Sequence, residues 1–300
     1  MNFSDMLTGD TLRRLVEANM EANGGEYVPG ARTLFNIPKA GFTLRYALET
    51  GVTDRALYQG LASFLIPYYD KLIPWNSFSH RFDYESRRSS ERYTFKNGIE
   101  SWKHFVGSTR SALSPSSYLV STDVANFFEH IQLQRLRQTM EELSPIVSDS
   151  PELQTRLRAH REVLFNFLDK WAYEPGRGLP QNRDASSFLA NLYMREIDLS
   201  MIDAGYKDTY FRYMDDIKVV CEDLYQARRA IKDLSVRLRE LGLSLNARKT
   251  EIVAASDITA VDACLDEGSE AIQQIDQLWR RKSRGPSSRF GPYCEIECSN

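Results

Sequence analysis

The sequence is poor in several features that would assign a class of protein at once. Its 300 residues include four cysteines, four histidines and no long run of apolar residues. A membrane-spanning helix needs about 20 consecutive apolar residues, so we expect no membrane partner. The cysteines are scattered and the histidines lack metal-ligand spacing, which argues against a disulfide framework and a histidine-based zinc site. The opening residues, MNFSDMLTGD, do not resemble a secretion signal, and we expect a cytoplasmic protein.

The chain also lacks an excess of charge of either sign, because its formal net charge is only -3. A protein that binds a polyanion with this balance has to gather its positive charge locally. Two basic clusters do so, and both have aromatic residues nearby. The first contains Arg81, Arg87, Arg88, Arg92 and Lys96, and the second contains Arg280, Arg281 and Lys282. Cations and stacking rings are what a nucleic-acid groove requires, although a solvated loop explains the first cluster equally well.

Hydrophobic residues make up 42% of the chain, which is enough for a sizeable core. Apolar periodicity predicts a helix that stops near Pro67, and another that begins with Ser150 as its cap and Pro151 in its first turn. A further amphipathic helix is expected to end at Gly242. From residue 117 onward the order is strand, helices, hairpin, helix, strand. That order predicts an α+β fold with an antiparallel sheet and helices on one face.

Three aspartates are expected to meet in this sheet. Asp215 and Asp216 stand side by side in YFRYMDDIKVV, between two strand-forming runs, and Asp123 ends the strand-like run in SYLVSTD. A hairpin tip and a strand end can lie side by side in one sheet. Carboxylates so placed repel one another, and divalent cations such as Mg²⁺ remove that penalty. An aspartate pair is also common in tight turns, so the pair alone does not establish a metal site.

Five segments resemble, in order along the chain, the motifs of reverse transcriptases. They are IPKAGFTLR, STDVANFF, GLPQNRDASSFLANLY, YMDD and LSLNARKTEIV. The resemblance covers roughly residues 35–255. The segment LPQNRDASSFLAN is similar to its counterpart in bacterial reverse transcriptases of abortive infection and phage defence.

This resemblance implies a two-metal site for phosphoryl transfer. The metal ligands would be Asp123, Val124 through its carbonyl, Asp215 and Asp216. They would hold two Mg²⁺ ions, with Mn²⁺ as an alternative. Two ions about 4 Å apart stabilise the attacking and the leaving oxygen of an in-line transfer. Lys249 would be a further catalytic residue, near the leaving pyrophosphate.

Nucleotide-binding residues follow from the same resemblance. Lys39 and Arg45 flank a glycine turn and would clamp the triphosphate of a dNTP, although two exposed strand charges are an alternative interpretation. Phe128 would exclude the 2'-hydroxyl of a ribonucleotide, and Gln181 would pack against the nascent base pair. Tyr213, beside the aspartate turn, joins the residues expected to contact nucleic acid.

The implied architecture is the fingers and palm of a right-hand polymerase. We expect N-terminal helices and fingers over residues 1–115 and a palm over residues 116–255, with fingers helices inserted near 142–178. Residues 256–300 would be a thumb remnant or a C-terminal tail. Three alternatives stay open here: a minimal thumb, a dedicated non-coding RNA or protein partner that supplies the function of the thumb, or a longer product of which this chain is a part.

The expected activity is the addition of dNTPs to a 3'-hydroxyl, on an RNA template with a primer or a DNA product, in bacterial anti-phage defence. Two alternatives stay open at this point. One is a template-independent or protein-primed DNA polymerase. The other, of a different class, is a non-catalytic nucleic-acid-binding subunit built on a polymerase fold.

Overall fold

A computed structural model describes residues 9–38, 44–85, 94–181 and 184–266. The helices are α1 (Gly9–Ala22), α2 (Val52–Tyr69), α3 (Gly98–Ala112), α4 (Phe127–His130), α5 (Leu133–Val147), α6 (Pro151–Trp171), α7 (Asp184–Met201), α8 (Leu224–Glu240) and α9 (Ile258–Asp266). The strands are β1 (Thr33–Pro38), β2 (Leu44–Glu49), β3 (Tyr118–Asp123), β4 (Tyr210–Tyr213), β5 (Asp216–Cys221) and β6 (Glu251–Ala254). None of the described helices combines the length and apolar character needed to cross a membrane.

Two antiparallel sheets organise these elements. β1 and β2 form a hairpin, as the sequence predicted, and the other four strands form a sheet in the order β4-β5-β3-β6. β3 is an inner strand, antiparallel to both β5 and β6. The sheet therefore places the end of β3 beside the start of β5, where the sequence has its acidic residues.

The structure corrects one detail of the expected fold, because helices cover both faces of the four-stranded sheet. On one face, Ile217 and Val219 join the main core with α7 and α8. On the other face, Val220 packs against α9, and Phe211 packs against α3. β5 carries apolar residues on both faces, and a strand of that kind has to be covered on both faces.

Helix ends agree with the sequence pattern at two of three places. The hydroxyl of Ser150 accepts a hydrogen bond from the Leu153 N–H at the start of α6. Gly242 follows α8 with a left-handed φ of 72°. The prediction of a helix end near Pro67 was early by two residues, because Pro67 lies within the last turn of α2. The division of the chain into domains at residues 115 and 255 stays a prediction.

Candidate active site

The three aspartates lie together at one end of the four-stranded sheet. Asp123 is the last residue of β3 and pairs directly with Asp216, the first residue of β5. Asp215 occupies the turn between β4 and β5, and its carbonyl accepts a hydrogen bond of 3.0 Å from the Val124 N–H. Carboxylates from two distant parts of the sequence thus meet at one edge, as the sequence led us to expect.

The turn that carries Asp215 has a strained backbone. Met214 has a φ of 58°, in the left-handed region that residues other than glycine rarely adopt. Its side chain is buried, and its carbonyl accepts a hydrogen bond of 2.8 Å from Nη1 of Arg212. Strained conformations persist where surrounding contacts determine them, and Arg212 supplies such a contact.

Arg212 is held in turn by a buried network. Both Arg212 and Asp198 are 0% exposed, and two hydrogen bonds of 2.7 Å join the guanidinium to the carboxylate. Asn191 and Ser77 accept further hydrogen bonds from Arg212, at 2.8 and 3.0 Å. The hydroxyl of Tyr210 donates to Asp198 at 2.8 Å. The network ties the aspartate turn to α7, which makes the position of Asp215 depend on the core.

The local electrostatics reflect crowded carboxylates and two lysines. Burial raises the pKa of Asp215 to about 6, and the charges of Asp216 and Asp123 act in the same direction. Burial also raises the pKa of Asp216, against the opposing effect of Lys218. Lys218 Nζ lies 2.8 Å from Oδ1 of Asp216, and Lys249 Nζ lies 3.1 Å from Oδ2 of Asp123. Each lysine therefore faces one of the aspartates.

The donor chemistry of the cluster fits Mg²⁺. Oδ1 of Asp123 is buried without a hydrogen-bond partner among the described residues, and carboxylate oxygens are ligands that Mg²⁺ prefers. No three Asp, Glu, His or Cys side chains of the described ranges already stand in a metal-binding arrangement.

The comparison with known sequences decides the family. Residues 70–278, well over half of the chain, match the sequence model of the family described as reverse transcriptase (RNA-dependent DNA polymerase). The chain belongs to the reverse transcriptase family. No curated protein matches it in sequence.

A solved structure has a fold similar to that of this chain. The structure is that of telomerase from Candida albicans in complex with a TWJ fragment of telomeric RNA, with a TM-score of 0.50 and 16% sequence identity. The similarity covers 82% of this chain and 46% of that chain, so the present chain spans less than half the length of its structural neighbour. The expected α+β polymerase fold is confirmed.

Two of the residues expected to contact the nucleotide, Phe128 and Gln181, lie in the described part of the chain. Phe127 is buried in the core, whereas its neighbour Phe128 is only partly buried, so Phe128 is the more accessible ring. The carbonyl of Phe128 accepts a hydrogen bond from the Leu179 N–H at 2.8 Å. Gln181 Nε2 lies 3.4 Å from Oε1 of Glu129, so the segment GLPQNRDASSFLANLY lies against the residue that follows STDVANFF. The expected roles of Phe128 and Gln181 stay predictions.

Several predicted residues fall outside the described part of the chain. They are Lys39, Arg87, Arg88, Arg92, Arg280, Arg281 and Lys282. Arg45 pairs through its backbone with Ile37 in the hairpin, and its side chain is not described.

Arg81 has a structural role that the sequence interpretation did not assign. It is 16% exposed and forms an ion pair of 2.9 Å with the buried Asp70. Its remaining N–H groups donate to backbone carbonyls between residues 70 and 77. These contacts occupy the guanidinium, although Arg81 also lines the cavity that contains Lys96, and its predicted contact with nucleic acid stays a prediction. Sequence clustering did not distinguish Arg81 from exposed cations, because its partners are set by the local chain fold.

Lys96 is exposed to solvent and Tyr213 is partly exposed. Lys96 lines a cavity of about 290 Å³ next to α3. The ring of Tyr213 packs edge-on against Trp102, and its hydroxyl donates to the carbonyl of Gly98 at 3.2 Å. Tyr213 thus has a packing role that the sequence interpretation did not assign. Its contact with nucleic acid stays a prediction.

Sequence reasoning missed Lys218, which the structure places against Asp216. A signal for it was present. β5 reads DIKVVC, and a lysine inside an otherwise apolar strand needs a partner once the strand is buried. The Arg212–Asp198 pair was missed as well, since nothing in the separation of the two residues along the chain identifies the contact.

Proposed function

We propose that this chain is an RNA-directed DNA polymerase that adds dNTPs to a 3'-hydroxyl. The observation that carries the proposal is the pairing of Asp123 with Asp216 beside the Asp215 turn, within a chain of the reverse transcriptase family. A sheet edge that crowds carboxylates against one another is electrostatically costly, and a reaction that uses bound cations explains why the three are there.

Asp123, Asp215, Asp216 and the carbonyl of Val124 would hold the Mg²⁺ ions, with Mn²⁺ as an alternative. Bound Mg²⁺ would supply Lewis acidity to the attacking 3'-oxygen and charge stabilisation to the leaving pyrophosphate. The protein's part is to hold the carboxylates in register through β3 and β5, and to fix the turn through Arg212.

Lys249 contributes a positive charge beside this cluster. Its side chain is 55% exposed, so the ammonium that faces Asp123 also reaches solvent, where a triphosphate would enter. We assign it an electrostatic role toward the leaving pyrophosphate. Lys39 and Arg45 would bind the triphosphate, Phe128 would limit the sugar to deoxyribose, and Gln181 would contact the nascent base pair.

The cavity beside α3 supports binding of an RNA strand. Aromatic side chains line it, namely Trp75, Phe78 and Tyr84, and Lys96 and His104 lie at the same cavity. Trp75 is 52% exposed, which leaves its ring available to a base. Aromatic rings with nearby cations are the combination that binds unpaired nucleotides. We place part of the template or of a partner RNA here.

The proposed biological role comes from one segment of the sequence and from the structural neighbour. The similarity of LPQNRDASSFLAN to defence-associated enzymes favours a cytoplasmic role in bacterial anti-phage defence. The telomerase neighbour was solved with a fragment of telomeric RNA. By analogy we propose a dedicated RNA, or a protein, as the partner that completes the thumb.

Primer extension tests the activity. Wild-type protein with Mg²⁺, a poly(rA) template, an oligo(dT) primer and dTTP should yield extended DNA, and Asp215→Ala should abolish extension. Asp208→Ala removes an exposed aspartate close in sequence and serves as the matched control, with wild-type extension expected. Equal extension by wild type and Asp215→Ala would refute the proposed site.

The same assay separates the alternatives. Extension that persists without template indicates untemplated synthesis, and DNA that stays covalently attached to protein indicates protein priming. A folded wild-type protein that binds RNA but extends no primer under any of these conditions would favour the non-catalytic subunit.

A further inference from the structure

Lys218 is unusual because it is a lysine with almost no exposure, in contact with a residue of the acidic cluster. Its side chain is 2% exposed. Nζ donates to Oδ1 of Asp216 and to Oγ of Ser121, both at 2.8 Å. Burying an ammonium group is costly unless it is paired and hydrogen-bonded. Asp216 supplies the charge that offsets this cost.

The register of the sheet explains how Lys218 reaches Asp216. Lys218 pairs directly with Ser121 across β5 and β3, and Ser121 pairs with Glu251 across β3 and β6. Paired residues share a face, as do residues two positions apart on a strand. Lys218 and Asp216 therefore project from the same face, in neighbouring rows.

Apolar packing encloses the rest of this face. Val220, the next residue along the same face of β5, is buried against α9 with Leu119 and Leu265. Lys218, Ser121 and Glu251 are cross-strand partners in one line across β5, β3 and β6. At the β6 end of this line, the thiol of Cys264 in α9 donates a hydrogen bond to the Glu251 carboxylate at 3.2 Å. An apolar side chain would fit such surroundings with less desolvation, so packing alone does not account for a lysine here.

We propose that Lys218 is a positioning residue of the catalytic centre. Its ammonium holds Oδ1 of Asp216, which fixes the direction of Oδ2 and lowers the negative charge that the cluster presents to cations. This inference rests on the proposed function, because it assigns a role toward the ions that the cluster would bind. Lys218 acts through Asp216 and does not itself contact the nucleotide.

Two opposing consequences follow from removing the ammonium. A positive charge next to the carboxylates repels a divalent cation, so its loss strengthens metal binding. The orientation of Asp216 is lost at the same time, so the bound ions are held in less productive positions and catalysis slows. For metal binding the charge effect is the larger of the two, because it acts on the doubly charged ion itself.

The test compares Lys218→Met with wild type in two measurements. Free Mn²⁺ is measured by electron paramagnetic resonance in a titration without nucleotide, and primer extension is measured at saturating Mn²⁺ and at saturating Mg²⁺. We expect Lys218→Met to bind Mn²⁺ about fivefold or more tightly than wild type. We expect kcat to fall about tenfold or more, with the KM for dTTP within about threefold of wild type.

Two further variants complete the test. Lys218→Arg keeps the charge and the donors and should restore most of both properties. Lys232→Met removes an exposed lysine on α8 and is the matched control for loss of a lysine charge. If circular dichroism shows that Lys218→Met does not fold, Lys218→Gln, which keeps a polar side chain, replaces it with the same expected tightening of Mn²⁺ binding.

The outcomes separate this inference from the proposed function. Unchanged or weaker Mn²⁺ binding by folded Lys218→Met, or by Lys218→Gln where it replaces Lys218→Met, would overturn the inference, as would an unchanged kcat. Loss of thermal stability alone, with both properties unchanged, would show a purely structural lysine. If wild type and Asp215→Ala bind Mn²⁺ and extend primers alike, the proposed function itself fails.

Discussion

Replacement of Asp198 by alanine removes the charged partner of the fully buried Arg212. The guanidinium would lose two hydrogen bonds of 2.7 Å, and the hydroxyl of Tyr210 would lose its acceptor at 2.8 Å. Leaving a buried charge without its partner costs about 3–5 kcal/mol. The orphaned hydroxyl acts in the same direction, so we expect the free energy of unfolding to fall by roughly 4 kcal/mol or more.

Urea denaturation followed by circular dichroism measures this loss. With a slope of about 3 kcal/mol per molar urea, the upper end of the usual range, the midpoint should fall by more than about 1 M. Asp208→Ala is the matched control, and an exposed substitution of that kind should change stability by less than about 0.5 kcal/mol. The folded fraction of Asp198→Ala should also extend primers more slowly, because Arg212 donates to the Met214 carbonyl in the aspartate turn.

A double variant tests the physical reasoning itself. Asp198→Leu with Arg212→Met replaces the ion pair by apolar side chains, and such replacements are often neutral or stabilising. The double variant should therefore recover most of the stability that Asp198→Ala loses. A loss below about 1 kcal/mol for Asp198→Ala, or a double variant no more stable than the single one, would refute the account of the network.

Three further predictions concern sugar selection, a helix end and the basic cluster. Phe128→Ala should admit ribonucleotides, and unchanged discrimination between dTTP and UTP in primer extension would contradict the sugar gate. Gly242→Ala should lower the free energy of unfolding by about 1–2 kcal/mol, because φ is left-handed and a Cβ would lie 2.4 Å from the movable Nε2 of Gln132; a neutral effect in urea denaturation would contradict this. Arg81→Met should cost about 3–5 kcal/mol of stability, whereas Lys96→Met should keep stability and weaken RNA binding in filter assays; the reverse pattern would favour Arg81 as a nucleic-acid ligand.

Local pattern was sufficient to predict the elements that position the site. The strand ending at Asp123 and the hairpin carrying Asp215 and Asp216 both follow from runs of strand-forming residues broken by acids. A strand end and a hairpin tip can lie side by side in one antiparallel sheet. The order of the elements along the chain therefore predicted that these carboxylates would meet. The helix start at Pro151 and the stop at Gly242 were predictable for the same reason, since caps are local.

Partners of buried charges were not predictable from local pattern. Arg81 and Lys96 belong to one basic cluster in the sequence. In the structure, however, Arg81 forms an ion pair with the buried Asp70, whereas Lys96 is exposed to solvent. The second face of the sheet was missed in a similar way, because its cover comes from α3 and α9, which lie on either side of the sheet strands in the sequence.

Short segments of the amino-acid sequence were enough to place this chain in the reverse transcriptase family and to predict that three aspartates meet at one sheet edge. Strand propensity, turn residues and motif order are properties of short segments. They can therefore be recognised without knowledge of the rest of the fold. The contacts of Lys218 with Asp216, of Lys249 with Asp123 and of Arg212 with the aspartate turn became known from the folded chain. A charge interacts over a few ångströms in space, and folding, not sequence separation, sets which groups come that close.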